Sequence, residues 1–293
     1  MRLRQATVSN TDCRIKMDAQ DSETSASFIP AHAQRAERAE RAERAEVRIP
    51  RFGPVSRTMG FWVSHAVLPV VATAILSGLL MGLHGDFVVA DSLYALQGNE
   101  WLFKKAFLAE KVIHIAGRNA SILLWLAVLF AWATTFRVAR WAEWRRPLGY
   151  LVLAVAGGVT AVSLLKHASS MECPWSLTRY GGSRLYLGFF DLRPDGIHRR
   201  GCFPAGHASA GYSWLALYFF LAIVKPAYRW RGLAGGLLAG IVFGASQQFR
   251  GAHFLSHDVW SLAICWFVSL GIFLIMFKTD PIPQASARST DHG

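Results

Sequence analysis

After a polar opening stretch, apolar residues gather into six runs: Gly60–Leu83, Ala120–Phe136, Pro147–Leu165, Ala208–Val224, Gly232–Ala245 and Val259–Phe277. A helix that crosses a bilayer needs about 17–25 residues. Four runs meet that length without help. The first is long enough but carries His65 and Pro69, and the fifth is short unless it continues through Gln248. Gly235, Gly236, Gly240 and Gly244 mark the fifth as a helix that packs closely against a neighbour, because small residues let backbones approach in lipid. The pattern predicts six spanning helices in an all-α, polytopic membrane bundle. Between the first two runs, Gly85–Arg118 mixes Trp101, Phe103 and Phe107 with Lys104, Lys105 and Lys111, which suits a helix lying in the interface.

Composition agrees with the pattern. Hydrophobic residues make up 53% of the chain and charged residues 17%, too apolar a balance for an ordinary soluble domain. Eleven tryptophans fit bilayer interfaces better than base stacking. The formal charge of +12 falls mostly between apolar runs, so membrane lipids rather than nucleic acid are the expected partner. Residues 1–58 read as a polar, disordered tail in which Arg-Ala-Glu repeats across Arg35–Glu46. Residues 59–278 form the membrane domain, and 279–293 a cytoplasmic tail. A start at Met59, directly before the first run, is an alternative reading. Nothing in the sequence sets an oligomeric state.

The short loops Arg137–Arg146 and Lys225–Arg231 are basic, and alternation puts both on one face. Short basic loops are cytoplasmic. The long loop carrying Arg179, Arg184, Arg193, Arg199 and Arg200 then lies outside. The same alternation brings three polar segments to that outer face: Lys166–Pro174 after the third run, Cys202–His207 before the fourth, and Phe249–Asp258 between the last two. The last packs Arg250, His253, His257 and Asp258 into ten residues. Ionisable groups at a bilayer edge are costly and usually functional.

These segments resemble the three motifs of the type 2 phosphatidic acid phosphatase (PAP2) superfamily. The family pattern is Lys, six residues, Arg-Pro; then Pro-Ser-Gly-His; then Ser-Arg, five residues, His, three residues, Asp. Here Lys166 precedes Cys173-Pro174, Pro204-Ala205-Gly206-His207 follows, and Ser246-Gln247 leads to His253 and His257. Cys173 and Gln247 replace arginines, Ala205 a serine and His257 an aspartate. The cluster is similar to that of a bacterial membrane-bound subgroup with a variant third motif.

The resemblance implies a six-helix phosphatase for lipid phosphomonoesters or diphosphates, working through a phosphohistidine, with no cofactor and no metal. It assigns the nucleophile to His253 and the acid–base role to His207, with His257 as the partner that fixes the nucleophile's tautomer. Lys166 and the amides near Gly206 would hold phosphate, with Arg250 or Arg179 replacing the missing arginines. Its expected place is a bacterial inner membrane with the site facing the periplasm. A lipid phosphotransferase would share every residue. A lipid-phosphate binding or transport protein with a crippled site is the non-enzymatic alternative. Cys173 and Cys202 would both lie in an oxidising compartment, where a disulfide could tie the first two motifs together.

Overall fold

The computed structural model of the chain describes residues 35, 57–106, 115–188, 191 and 201–277. The chain divides into two units, Met1–Pro50 and Arg51–Gly293. Of the first, only Arg35, helical and exposed, is described; the helices belong to the second. Most of both expected tails lies outside the described residues, as do Phe107, Lys111, Arg193, Arg199 and Arg200.

Among the described residues, seven helices carry the fold: α1 (Met59–Gly82), α2 (Gly85–Leu96), α3 (Gly117–Thr134), α4 (Arg145–Ala168), α5 (Gly206–Val224), α6 (Arg229–Phe249) and α7 (Leu255–Met276). Thr58 Oγ1 caps α1 by accepting from the Phe61 amide at 3.4 Å. A π turn, Val63–Val67, precedes Pro69 and takes up the carbonyl pattern that proline disturbs. Val67, Val70, Val71 and Ile75 on α1 are exposed, as a lipid-facing helix requires. Among the described residues, the only bridge of strand type is an isolated one between Leu177 and Arg184.

Among the described residues, five helices, α1, α3, α4, α5 and α7, are long and apolar enough to cross a membrane, against six expected. The difference is α6. It is continuous for 21 residues, but Arg229, Arg231, Gln247, Gln248 and its glycines dilute its apolar character. Its glycines serve packing. A β-carbon on Gly236 would lie 2.6 Å from the Leu215 amide nitrogen, and one on Gly240 2.0 Å from the Tyr212 ring. Gly232 and Gly244 are blocked in the same way, while Gly235 faces open space. The seam therefore runs at every fourth residue, 232, 236, 240 and 244, and Gly235 is off it.

The core forms where α4, α5 and α7 meet. Tyr150, Phe219 and Phe273 are buried there with Phe61 of α1 packed against them. Within Gly85–Arg118 the described residues form α2, whose Ala90 is buried with Leu177, Tyr180 and Phe254, and a single 3₁₀ turn at Leu102–Lys105. Thus α2 covers the end of the bundle at which α4 stops and α5 and α7 begin.

Candidate active site

α6 ends at Phe249, and the chain must turn back at once to start α7. Gly251 makes the turn at φ +70°, a conformation that favours glycine; a β-carbon there would lie 2.5 Å from the Trp101 ring. The Ala252 and Arg250 amides return to the Gln247 and Ser246 carbonyls at 2.9 and 3.3 Å, which closes the helix end. Phe254 is extended and α7 starts at Leu255. Asp86 of α2 completes that start: it accepts from the Ser256 amide at 2.9 Å and from Ser256 Oγ at 2.5 Å. It is thus an N-terminal cap supplied from 170 residues away. Burial raises its carboxyl above the ordinary range, against the two Ser256 bonds that lower it.

His253 therefore sits in the connection, not on the helix that carries His257. The two rings still meet, with their Nδ1 atoms 3.4 Å apart. His253 is 5% exposed and His257 fully buried. The backbone of Cys202 lies beside both rings, and His257 Nε2 is buried without a hydrogen-bond partner. Burial holds His253 well below the usual imidazole range, and positive charge on His257, Lys166 and His207 pushes it the same way. His253 is thus a neutral imidazole at neutral pH, with Lys166 and His207 as its electrostatic neighbours.

Lys166 closes α4 and Gly206 opens α5. A β-carbon on Gly206 would lie 3.5 Å from Lys166 Nζ. An ammonium and the free amides of a helix start together form a place for an anion. Backbone bonds tie the three segments: Ala205 N to His257 O at 3.1 Å, Cys202 N to Met171 O at 2.9 Å and Trp175 N to Gly251 O at 2.8 Å. Cys173 and Cys202 are joined as a disulfide, with their Cα atoms 5.3 Å apart. Lys166, Gly206, His207, His253 and His257 are thus brought to one end of the bundle.

The two candidate arginines differ. Arg250 is buried. It donates through Nε and Nη2 to the Lys104 carbonyl at 3.1 and 3.0 Å, and through Nη1 to Gln247 Oε1 at 3.2 Å. It therefore lies beside the residue that stands in the family's arginine position. Arg179 is engaged elsewhere, on the exposed face of α2. It forms a fork with Asp91 at 2.8 and 2.6 Å, and the Tyr180 hydroxyl donates to Asp91 at 2.8 Å. That pair lowers the Asp91 carboxyl and raises the Arg179 guanidinium.

Residues 147–281 match the PAP2 superfamily. The matched stretch runs from the start of α4 past the end of α7, so it contains all three motifs, while α1–α3 lie before it. The match is to the superfamily and does not reach the level of the bacterial subgroup. No curated protein and no solved structure matches the chain. A PAP2 match supports phosphatase-type activity on phosphate esters, and the apolar helices associate that activity with a membrane and with lipid-type substrates.

One participant escapes the sequence pattern. Asp86 is a lone carboxylate in an apolar stretch, a visible oddity, but its partner lies far along the chain.

Proposed function

We propose that the chain is a membrane-embedded lipid phosphatase that acts through a phosphohistidine on His253, at the extracytoplasmic face. The observation that carries this reading is the neutral, buried His253 set against His257, His207 and Lys166. His253 Nδ1 faces His257 Nδ1 at 3.4 Å; with the proton held in that contact, the lone pair of the other nitrogen is left for attack. That nitrogen forms a bond to phosphorus as the bond from phosphorus to the lipid oxygen breaks. His207 gives its proton to the departing alkoxide. Water then attacks the phosphohistidine, His207 takes its proton, and inorganic phosphate leaves. Lys166 and the first amides of α5 balance charge on the phosphoryl oxygens. His257 stands where the family has aspartate, and its ring is the tautomer-fixing neighbour in place of a carboxylate. The test is phosphate release from a panel of lipid phosphates, wild type beside His253→Ala, with product analysis in the presence of lipid alcohols to separate hydrolysis from transfer.

Arg250 fits the role of the missing arginine, since it is a buried cation bonded to Gln247. Arg250→Ala is expected to lower kcat/KM by about 100-fold, roughly 3 kcal/mol. Arg250→Lys should recover only part, because a point charge lacks the planar fork. Steady-state kinetics at near-wild-type level for Arg250→Ala would remove it from the phosphate site.

The basic loops set the orientation. Cysteine tags placed in Lys225–Arg231 are expected to resist an impermeant label in intact cells, while tags near Asp195 react. The reverse labelling would turn the site to the cytoplasm.

A further inference from the structure

Asp258 has no part in the chemistry above. It lies on α7 on the side that meets α6, with its carboxylate flat against Gly244, where a β-carbon would lie 2.3 Å from Oδ2. Gln248 Nε2 donates to Oδ2 at 2.5 Å. Oδ1 is buried and has no hydrogen-bond partner, and the residue is only 3% exposed. A carboxylate inside a spanning helix is costly and marks function more often than packing. A buried acceptor left without a donor is rarer still.

Asp258 and Gln248 line one end of a groove of about 760 Å³ between α1, α6 and α7. Leu76, Leu233, Leu237, Ile241 and Leu262 line its length. From Arg229 to Gln248, both of which line it, α6 rises about 28 Å, close to the roughly 30 Å of a bilayer's hydrocarbon core. A long apolar groove of this depth suits a lipid chain. A narrow crevice lined by His253 shares Gln248 and Leu255 with the groove. The groove's polar end thus lies beside the segment that carries the proposed nucleophile.

We propose that Asp258, held by Gln248, recognises a hydroxyl or amide N–H donor lying between the phosphate and the chain of the substrate lipid. The inference rests on the phosphatase reading and narrows its substrate class. Lipid phosphates with a free hydroxyl or amide next to the phosphate satisfy Oδ1. Fully esterified glycerolipid phosphates and prenyl phosphates offer only acceptors or hydrocarbon there. A site that hydrogen-bonds a substrate hydroxyl discriminates strongly against the analogue without it, because its own polar group is then left unpaired.

The test uses a matched pair with one chain: 1-oleoyl-glycerol 3-phosphate, with its free 2-hydroxyl, and the same lipid with that hydroxyl methylated. The purified full chain is assayed for phosphate release, and binding of each lipid to His253→Ala is measured by native mass spectrometry. Wild type is expected to prefer the free hydroxyl at least tenfold in kcat/KM, and His253→Ala to show the same preference in binding. Asp258→Asn should keep turnover of the methylated lipid and lose the preference, because its amide presents N–H to the substrate when its oxygen faces Gln248. Equal turnover of both lipids by wild type overturns this proposal and leaves the phosphatase reading intact. Selective binding without any turnover overturns the phosphatase reading and leaves this one standing. An Asp258→Asn protein that loses activity on both lipids by the same factor makes Asp258 a packing residue and overturns the proposal.

Discussion

Replacing His253 with alanine is expected to reduce turnover on the order of 10⁴-fold or more, as loss of a nucleophile does, while lipid-phosphate binding persists. The binding half follows from placement. Lys166 and the first turn of α5 are built from other segments, and His253 lies in the connection after α6, so its truncation leaves the helices and their caps in place. The kinetic half follows from protonation. Burial and the surrounding positive groups keep His253 neutral, the state that attacks phosphorus. Brief reaction with ³²P-labelled lipid phosphate, followed by alkaline quench, should leave label on wild type and none on His253→Ala. Full activity of the variant would remove the basis of the mechanism. A labelled variant would move the covalent phosphate to another residue.

How much of this was legible in the sequence depends on the length scale of each interaction. The apolar runs announced the helices because burial in lipid is written into every residue of a span. Alternation then brought Lys166, His207 and His253 to one end of the bundle without any knowledge of contacts. The superfamily match over residues 147–281 bears out the resemblance that the motif spacing carried. Side-chain pairings were less legible. Arg179 looked available for phosphate, yet its fork is closed on Asp91, 88 residues earlier. His253 and His257 are four residues apart, a helical spacing, but α7 starts between them and the rings meet across its first turn. Asp86 acts across 170 residues and leaves no local pattern. The six-span count met α6, where glycines that let two backbones touch also lower the apolarity that identifies a span.

Breaking the Cys173–Cys202 disulfide is expected to cost both stability and activity. The bond closes a loop with a sequence separation of 29, for which loop entropy gives roughly 3–4 kcal/mol. Its position makes the activity loss larger than that figure alone implies. Cys202 lies beside His253 and His257, and His207 follows five residues later. Cys173 adjoins Pro174 and Trp175, and the Trp175 amide bonds to the Gly251 carbonyl beside Arg250. The bond therefore ties the segment that leads into His207 to the segment that borders Arg250. Cys173→Ser and Cys202→Ser should each lower the thermal midpoint in detergent by several degrees or more. At temperatures where both variants remain folded, kcat should fall by more than KM rises, because orientation of His253 is lost before lipid binding is. Dithiothreitol should do the same to wild type and nothing further to either variant. The free thiol at buried Cys265 provides the control, since Cys265→Ala leaves the reductant sensitivity in place. Alkylation of both Cys173 and Cys202 in unreduced protein, or activity indifferent to reductant, would show that the two motifs are held by their backbone bonds alone.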